Sequence, residues 1–311
     1  MKIVFMGTPE FAAASLKALV ESNQYEIVAV VTQPDRPKGR GHKVMMSAVK
    51  EYALTQGLPV LQPERVKTPG FQEEMEKLQP ELIVVAAFGQ FLPKSLLDLP
   101  RFGCINVHAS LLPRYRGAAP IHYAILKGET EAGVTIMQMD VGMDTGAMLS
   151  KVSVPVGPEM TQGELHDILK EKGAQLLLDT IPQLVAGTLQ PVPQPAGEAT
   201  YASLITRDME KLDWNKTAEE LHNQIRAFDP WPGSFTLLPD GKRLKIWKSR
   251  VLETAAQDLP GTVLRADSRG FWVACGQGSL EILECQPEGK KRMATAPFIN
   301  GKHVKAGDRL A

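Results

Sequence analysis

Several features are missing from this 311-residue sequence, and each absence excludes something. Charge does not accumulate: 35 Lys and Arg face 35 Asp and Glu, so no global field announces a nucleic-acid partner. There are three cysteines, Cys104, Cys275 and Cys285. They are too few, odd in number and wrongly spaced for a disulfide framework or a metal centre, and read as free thiols in a reducing compartment. No apolar run approaches the roughly 20 residues that cross a bilayer. The opening MKIVFMGTPEF enters a strand directly, without the profile of a cleavable signal. No internal repeat is visible. No serine stands in a G-x-S-x-G elbow, which disfavours covalent hydrolysis. The first Gly turn, MGTPEF, has Gly7 alone where a dinucleotide site needs G-x-G-x-x-G, and Pro9 lacks the N–H a phosphate cradle uses. A strand-to-helix turn is the better reading. The absences together point to a cytoplasmic protein with no membrane partner and, from its length, about two domains.

What is present supports sizeable cores, with 43% hydrophobic and an ordinary 23% charged residues. KIVFM at 2–6 is an apolar strand. The next segment repeats apolar residues at helical spacing, with Phe11, Ser15/Leu16 and Leu19/Val20 on one face, and YEIVAVVTQ is a second strand. Further strands are expected at 58–63, 81–89, 103–110 and 134–140, mostly separated by helical stretches. Nearly continuous apolar strands in βαβ order predict an α/β fold, a doubly wound, mostly parallel, Rossmann-like sheet. Residues 161–187 read as a long amphipathic helix closing a first domain, 1–189. Pro191, Pro193 and Pro195 then alternate in an extended linker, 190–206. After a short helical region, residues 234–311 change to short strands and turns. The second domain, 207–311, is therefore expected to be a small antiparallel β-barrel of OB-like type. The division carries about −3 on residues 1–206 and +3 on 207–311, a weak asymmetry.

The stretch GCINVHASLLPRYRGAAP raises the chemical question. Asn106 and His108 lie two apart on a strand and so share a face, at the carboxyl end where open α/β sheets bind ligands. They can simply be satisfied polar residues at a strand end. Asp140 and Asp144, in the turn DVGMDTG after the strand VTIMQM, are expected at a carboxyl end too, and can add a carboxylate. A carboxylate orients an imidazole and favours its charged form. The imidazole moves a proton or donates to an oxyanion, and the amide is a fixed donor to the same oxygen. Acyl transfer between amines needs these functions and no metal. Cys104 shares the strand face, but zinc sites use three or four closely arranged ligands, so no metal is expected.

The runs CINVHASLLPRYRGAAP and GVTIMQMDVGMDTGAML, with MGTPEFA, TQPDRPKGRG, IRAFDPWPG and KIWK, closely resemble the folate-dependent formyltransferases, and within them the bacterial branch acting on initiator tRNA. These motifs span nearly the whole chain. The resemblance implies a formyltransferase domain followed by a tRNA-binding domain. It implies transfer of the formyl group of 10-formyltetrahydrofolate, a co-substrate, to the methionine of initiator methionyl-tRNA in translation initiation. It assigns Asn106, His108 and Asp144 as the catalytic group, and Ser110, Leu111, Leu112 and Pro113 as the folate-contacting segment. The backbone about Phe88, Gly89 and Leu92, with Asp140, Val141 and Gly142, would hold the pterin ring. A monomer is expected on the same ground. A formyltransferase acting on a small amine, or a non-catalytic RNA-binding module, is the alternative.

The loop 33–45 carries Arg36, Lys38, Arg40 and Lys43 against Asp35 alone. It reads either as a solvated basic loop or as a phosphate contact; the resemblance favours the tRNA acceptor stem, with Arg40 central. Arg114 and Arg116 suit the donor, the tRNA end or structural carboxylates equally. In the second domain Lys245 and Lys248 flank Trp247 among further basic residues, a pattern that suits RNA or a charged strand edge. The resemblance favours RNA. His122, His166, His222 and His303 are scattered and read as ordinary surface or packed residues, and the 12 methionines as core filling.

Overall fold

The computed structural model describes residues 1–38, 43–252 and 258–311. They form two compact units, the first of residues 1–120, 131–155 and 166–203, the second of residues 121–130, 156–165 and 204–311.

The elements from the start of the chain to residue 203 are β1 (Lys2–Gly7), α1 (Glu10–Glu21), β2 (Glu26–Val31), β3 (Arg36–Lys38), β4 (Lys43–Met45), α2 (Ala48–Thr55), β5 (Val60–Leu61), α3 (Pro69–Leu78), β6 (Leu82–Ala86), α4 (Lys94–Leu97), β7 (Cys104–His108), β8 (Arg116–Gly117), α5 (Pro120–Leu126), β9 (Glu131–Gln138), β10 (Met148–Pro155), α6 (Gln162–Ala186) and β11 (Tyr201–Ala202). The main sheet runs β10-β9-β7-β6-β1-β2-β5. Its five strands from β7 to β5 are parallel. Helices over both faces leave β1 and β6 almost wholly buried, which is why these strands are unbroken apolar runs. The helix α1 begins just after Pro9, whose carbonyl accepts the N–H groups of Ala12 and Ala13, and buries Phe11, Ser15, Leu16 and Leu19. A Cβ on Gly7 would sit 2.6 Å from the Ala12 Cβ and 2.8 Å from the Ala86 carbonyl oxygen. This glycine permits close packing of strand on helix.

One expectation needs correcting. The strand at 134–140 was expected to bring Asp140 and Asp144 to a carboxyl end beside that of Asn106 and His108. The strand β9 instead runs antiparallel to β7, with His108 opposite Thr135 and Ile105 opposite Gln138. Residues after β9 therefore leave the sheet at the amino end of β7. Apolar periodicity is identical for either strand direction, so the pattern could not reveal this.

The second unit holds α7 (Ala218–Ala227), then β12 (Ser234–Leu237), β13 (Arg243–Leu252), β14 (Val263–Asp267), β15 (Gly270–Ala274), β16 (Ser279–Pro287), β17 (Met293–Ala294) and α8 (Thr295–Asn300). The antiparallel order is β12-β13-β16-β15-β14, with β17 also on β16. A capping box starts α7, Thr217 and Glu220 each accepting the other's backbone N–H. Its Leu221 and Ile225 join Phe271, Phe298, Leu280 and Ile282 in one core. The last residues draw the two outer strands together. Ala311 exchanges two hydrogen bonds with Leu237 on β12, while Val263 on β14 donates to the Asp308 carbonyl and Leu310 donates to that of Gly261. The expected barrel is thus closed partly by residues 308–311 and not by strand pairing alone.

Among the described residues, no helix is long and apolar enough to cross a membrane. No group of three or more His, Cys, Asp or Glu among them is arranged to hold a metal ion.

Candidate active site

Parallel pairing puts the ends of β1, β2, β6 and β7 on one sheet edge, and the polar residues collect there. At the end of β7, Asn106 is half-buried and His108 is 5% exposed. The chain then doubles back so that Tyr115, at φ +60, turns its carbonyl onto the ring. His108 Nε2 lies 3.0 Å from that oxygen. A carbonyl only accepts, so Nε2 carries the hydrogen, and in the neutral ring Nδ1 is the open nitrogen. Nδ1 faces Asp144 Oδ2 at 3.7 Å.

Asp144 reaches this point from the far side. The turn after β9 is closed by Asp140, whose Oδ1 accepts from the Gly142 N–H at 2.9 Å and from the Thr145 hydroxyl at 2.6 Å. At Gly146 a Cβ would sit 1.7 Å from the Gln138 carbonyl oxygen, so only glycine lets the chain fold back over the strand it has just left. Asp144 lies between them at φ +51. Its Oδ2 accepts the Gly117 N–H at 2.8 Å, and Asn106 Nδ2 is 3.5 Å from Oδ1. A carboxylate from the turn after β9 thus converges with an imidazole, one nitrogen of which is committed, and an amide, both from the end of β7. Such a cluster can accept a proton at Nδ1, hold the resulting cation beside a carboxylate and offer amide N–H to a developing oxyanion.

The neighbouring segment 110–113 is tied down by groups the sequence did not single out. Thr135, wholly buried on β9, donates its hydroxyl to the Ser110 carbonyl at 2.7 Å and accepts the Leu112 N–H at 3.1 Å. The Ser110 hydroxyl donates to the Arg114 carbonyl at 2.6 Å. The Lys151 ammonium donates to the Leu112 carbonyl, and burial lowers its pKa. The Leu112 side chain packs between Met137 and Met148. A lone Thr inside the apolar run VTIMQM was the available signal for this relay. Gln194, equally unremarked among prolines, bonds the carbonyls of Asp144 and Gly146.

The segment after β6 shares the edge. Phe88 and Leu92 turn their side chains into the core, at 3% and 5% exposure, so a ligand here would meet backbone. Gln33 donates to the Phe88 carbonyl, and Gly89 adopts φ +84. Across the site Val141 is 71% exposed.

The basic loop leaves the same edge after β2 as the hairpin β3–β4, in which Lys38 pairs with Lys43. Arg36 is exposed. Arg40 lies outside the described residues. Arg116 is buried and donates to Gln194 Oε1, while the Arg114 guanidinium covers the Tyr115 ring. In the second unit the Lys245 ammonium donates to the Pro232 carbonyl and lies over Trp247, and Lys248 is exposed. Arg292 forks onto Asp229, both contacts 3.1 Å, and also pairs with Glu284. The four scattered histidines all have packing or hydrogen-bond neighbours, such as His222 between Ser249 and the Pro158 carbonyl and His303 stacked on Phe298.

Residues 1–181 match the model of the formyl transferase family, and residues 204–303 match that of the formyl transferase C-terminal domain. The chain belongs to the formyl transferase family. It is an enzyme that transfers formyl groups. Among relatives, the methionyl-tRNA formyltransferase of Bacillus subtilis is 51% identical over 310 residues, covering 99% of this chain and 97% of that one. That of Geobacter sulfurreducens is 48% identical, covering 100% and 96%. Solved structures share the fold at lower identity. The N-formyltransferase of Helicobacter canadensis, solved with folinic acid and dTDP-3-aminofucose, aligns with a TM-score of 0.67 at 22% identity, covering 92% of this chain and 99% of that one. HypX of Aquifex aeolicus aligns with a TM-score of 0.63 at 17% identity, and this formyltransferase covers 98% of itself but 48% of HypX.

Proposed function

We propose that the chain transfers the formyl group of 10-formyltetrahydrofolate to the α-amine of methionine on initiator methionyl-tRNA. The observation that carries this reading is the convergence of Asn106, His108 and Asp144 in a chain about half identical, along its whole length, to relatives named for that reaction. The amine nitrogen attacks the formyl carbon, forming the new C–N bond and a tetrahedral oxyanion. The C–N10 bond then breaks, and the proton lost by the amine ends on N10. Asn106 Nδ2 stabilises the oxyanion. His108, anchored through Nε2–H, takes the proton at Nδ1 and returns it to the leaving nitrogen, with Asp144 opposing the transient positive charge. General acid–base groups of this kind are worth about 10²–10⁴ in rate. The segment 110–113, the backbone at 88–92 and the turn 140–142 form the folate cradle, with no metal required.

The same reading makes residues 1–189 the catalytic domain, 190–206 the linker and 207–311 the tRNA-binding domain. Arg36, Lys38, Arg40 and Lys43, together with Lys245 and Lys248, meet the tRNA. The enzyme acts as a cytoplasmic monomer. The test offers 10-formyltetrahydrofolate with charged initiator tRNA, charged elongator tRNA or water. Formylation confined to the initiator is expected. Donor turnover without tRNA formylation would move the chain to a small-amine substrate, and no donor turnover would refute the reaction.

A further inference from the structure

Gln194 stands between Pro193 and Pro195 in the stretch 182–203, which neither family match covers. Such a proline-rich run is extended but not free here. Val192 and Met148 exchange two backbone hydrogen bonds of 2.9 Å, Arg116 donates its N–H to the Thr200 carbonyl, and β11 pairs in parallel with β8. Between these ties the Gln194 amide is fully engaged. Its Nε2 donates to the carbonyls of Asp144 and Gly146, each at 2.8 Å. Its Oε1 accepts from Nε of the buried Arg116 at 2.9 Å. A guanidinium only donates, so the amide oxygen must face Arg116 and the NH₂ must face the two carbonyls.

The contacts close a ring. Arg116 holds Gln194, Gln194 holds the Asp144 backbone, and Gly117, next to Arg116, holds the Asp144 carboxylate. A left-handed backbone at φ +51 is a minor conformation even for an aspartate, which tolerates it better than most residues bearing a Cβ, so contacts that hold Asp144 there matter. The hydrogen bonds of the turn itself fall on the Asp140 side chain, ahead of Asp144. We propose that Gln194 is a positioning residue for Asp144: its amide fixes the backbone conformation from which the carboxylate faces His108. The proposal rests on Asp144 being part of the catalytic group. It also gives the proline-rich segment a task beyond joining two domains, since the flanking prolines pre-extend the chain and limit the entropy lost on docking.

The test compares Gln194→Met, which keeps length and bulk, with Gln194→Glu, which keeps the Arg116 partner but turns oxygen against two carbonyls. Both are expected to lower kcat on the order of 10–100-fold, with KM for the formyl donor within about two-fold and a single cooperative thermal transition retained. A double-mutant cycle then isolates the path of action. In an Asp144→Asn background, Gln194→Met is expected to cost less than about two-fold more, because the group it positions is already disabled. Should Gln194→Met unfold, Gln194→Asn, shorter by one methylene, carries the same comparison. An undiminished kcat, or the full loss in both backgrounds, would overturn the positioning role while leaving the reaction intact. A wild-type chain inert toward the donor would overturn the reaction itself, and this role with it.

Discussion

The substitution Thr135→Val removes one oxygen and leaves the side-chain shape nearly unchanged, which makes it a sharp probe of what holds the loop 110–113. Thr135 has no solvent exposure, so water cannot replace its hydroxyl while the loop stays put. Two backbone groups lose their partner together, the Ser110 carbonyl and the Leu112 N–H. Each unsatisfied buried group costs about 1–3 kcal/mol. The full sum is reached only if the loop cannot relax, so about 2–4 kcal/mol is the expected loss. For a unit of this size that lowers the unfolding midpoint by roughly 4–16 °C, at about 2–4 °C per kcal/mol. Thr135→Ser does the reverse, keeping the hydroxyl and deleting a methyl worth about 1 kcal/mol. Serine's weaker strand propensity adds less than about 1 kcal/mol. Valine should therefore be the more damaging change in a thermal melt followed by circular dichroism. Because the loop is the proposed folate segment, valine should also raise KM for the formyl donor more than serine does. A serine variant less stable than the valine variant would show that packing holds this loop, and the relay argument would fail.

Other perturbations read other parts of the molecule. Cys104, Cys275 and Cys285 are buried, and burial pushes each thiol up to about 12. An aromatic disulfide reagent at neutral pH should thus titrate none of them in the folded enzyme and all three in denaturant; rapid reaction of any one under native conditions would contradict that burial. Thr161 donates its N–H and hydroxyl to Glu164, holding that carboxyl below its ordinary range. A depressed carboxyl stabilises the fold above the unfolded value, near 4.5, and that contribution fades as pH falls through the folded one. The stability gap between wild type and Glu164→Gln should accordingly be full at pH 7 and narrow below about pH 4.5; a gap constant with pH would exclude this origin. Raising salt should increase KM for tRNA steeply, through counterion release, and leave KM for the folate donor nearly unchanged. Equal slopes for both substrates would remove the case for phosphate contacts by the basic hairpin and by Lys245 and Lys248.

Much of the first unit is legible because its strands are buried on both faces and its helices on one, and these two periods differ. Asn106 and His108 could be found because polar residues two apart on an apolar strand are conspicuous. The geometry joining them to Asp144 was not, since it depends on the direction of β9, which side-chain alternation does not encode. Gln194 was hidden for another reason. Alternating prolines describe an extended backbone truthfully but say nothing about where it lies, and its contacts with Asp144 and Arg116 span 50 and 78 residues. In the second unit the strands followed their turn signals. A count of cations does not show their intramolecular partners: Arg292 and Arg250 are engaged by Asp229, Glu284 and Glu281, and the Lys245 ammonium is bonded to the Pro232 carbonyl.

The stitching of β12 and β14 by residues 308–311 has a consequence for the order of synthesis. Both strands leave the ribosome some tens of residues before their last partners do, so for that interval each presents unpaired N–H and C=O groups to its surroundings. Open edges of this kind recruit other strands. The second unit cannot finish folding while residues 308–311 are still in the exit tunnel, although the proposed catalytic cluster lies entirely upstream in a sheet already complete. A nascent chain arrested just short of residue 308 would hold the proposed catalytic cluster already formed while the sheet of the second unit is still half-built and adhesive. Residues 308–311, which contain nothing that chemistry would pick out, decide when the edges disappear.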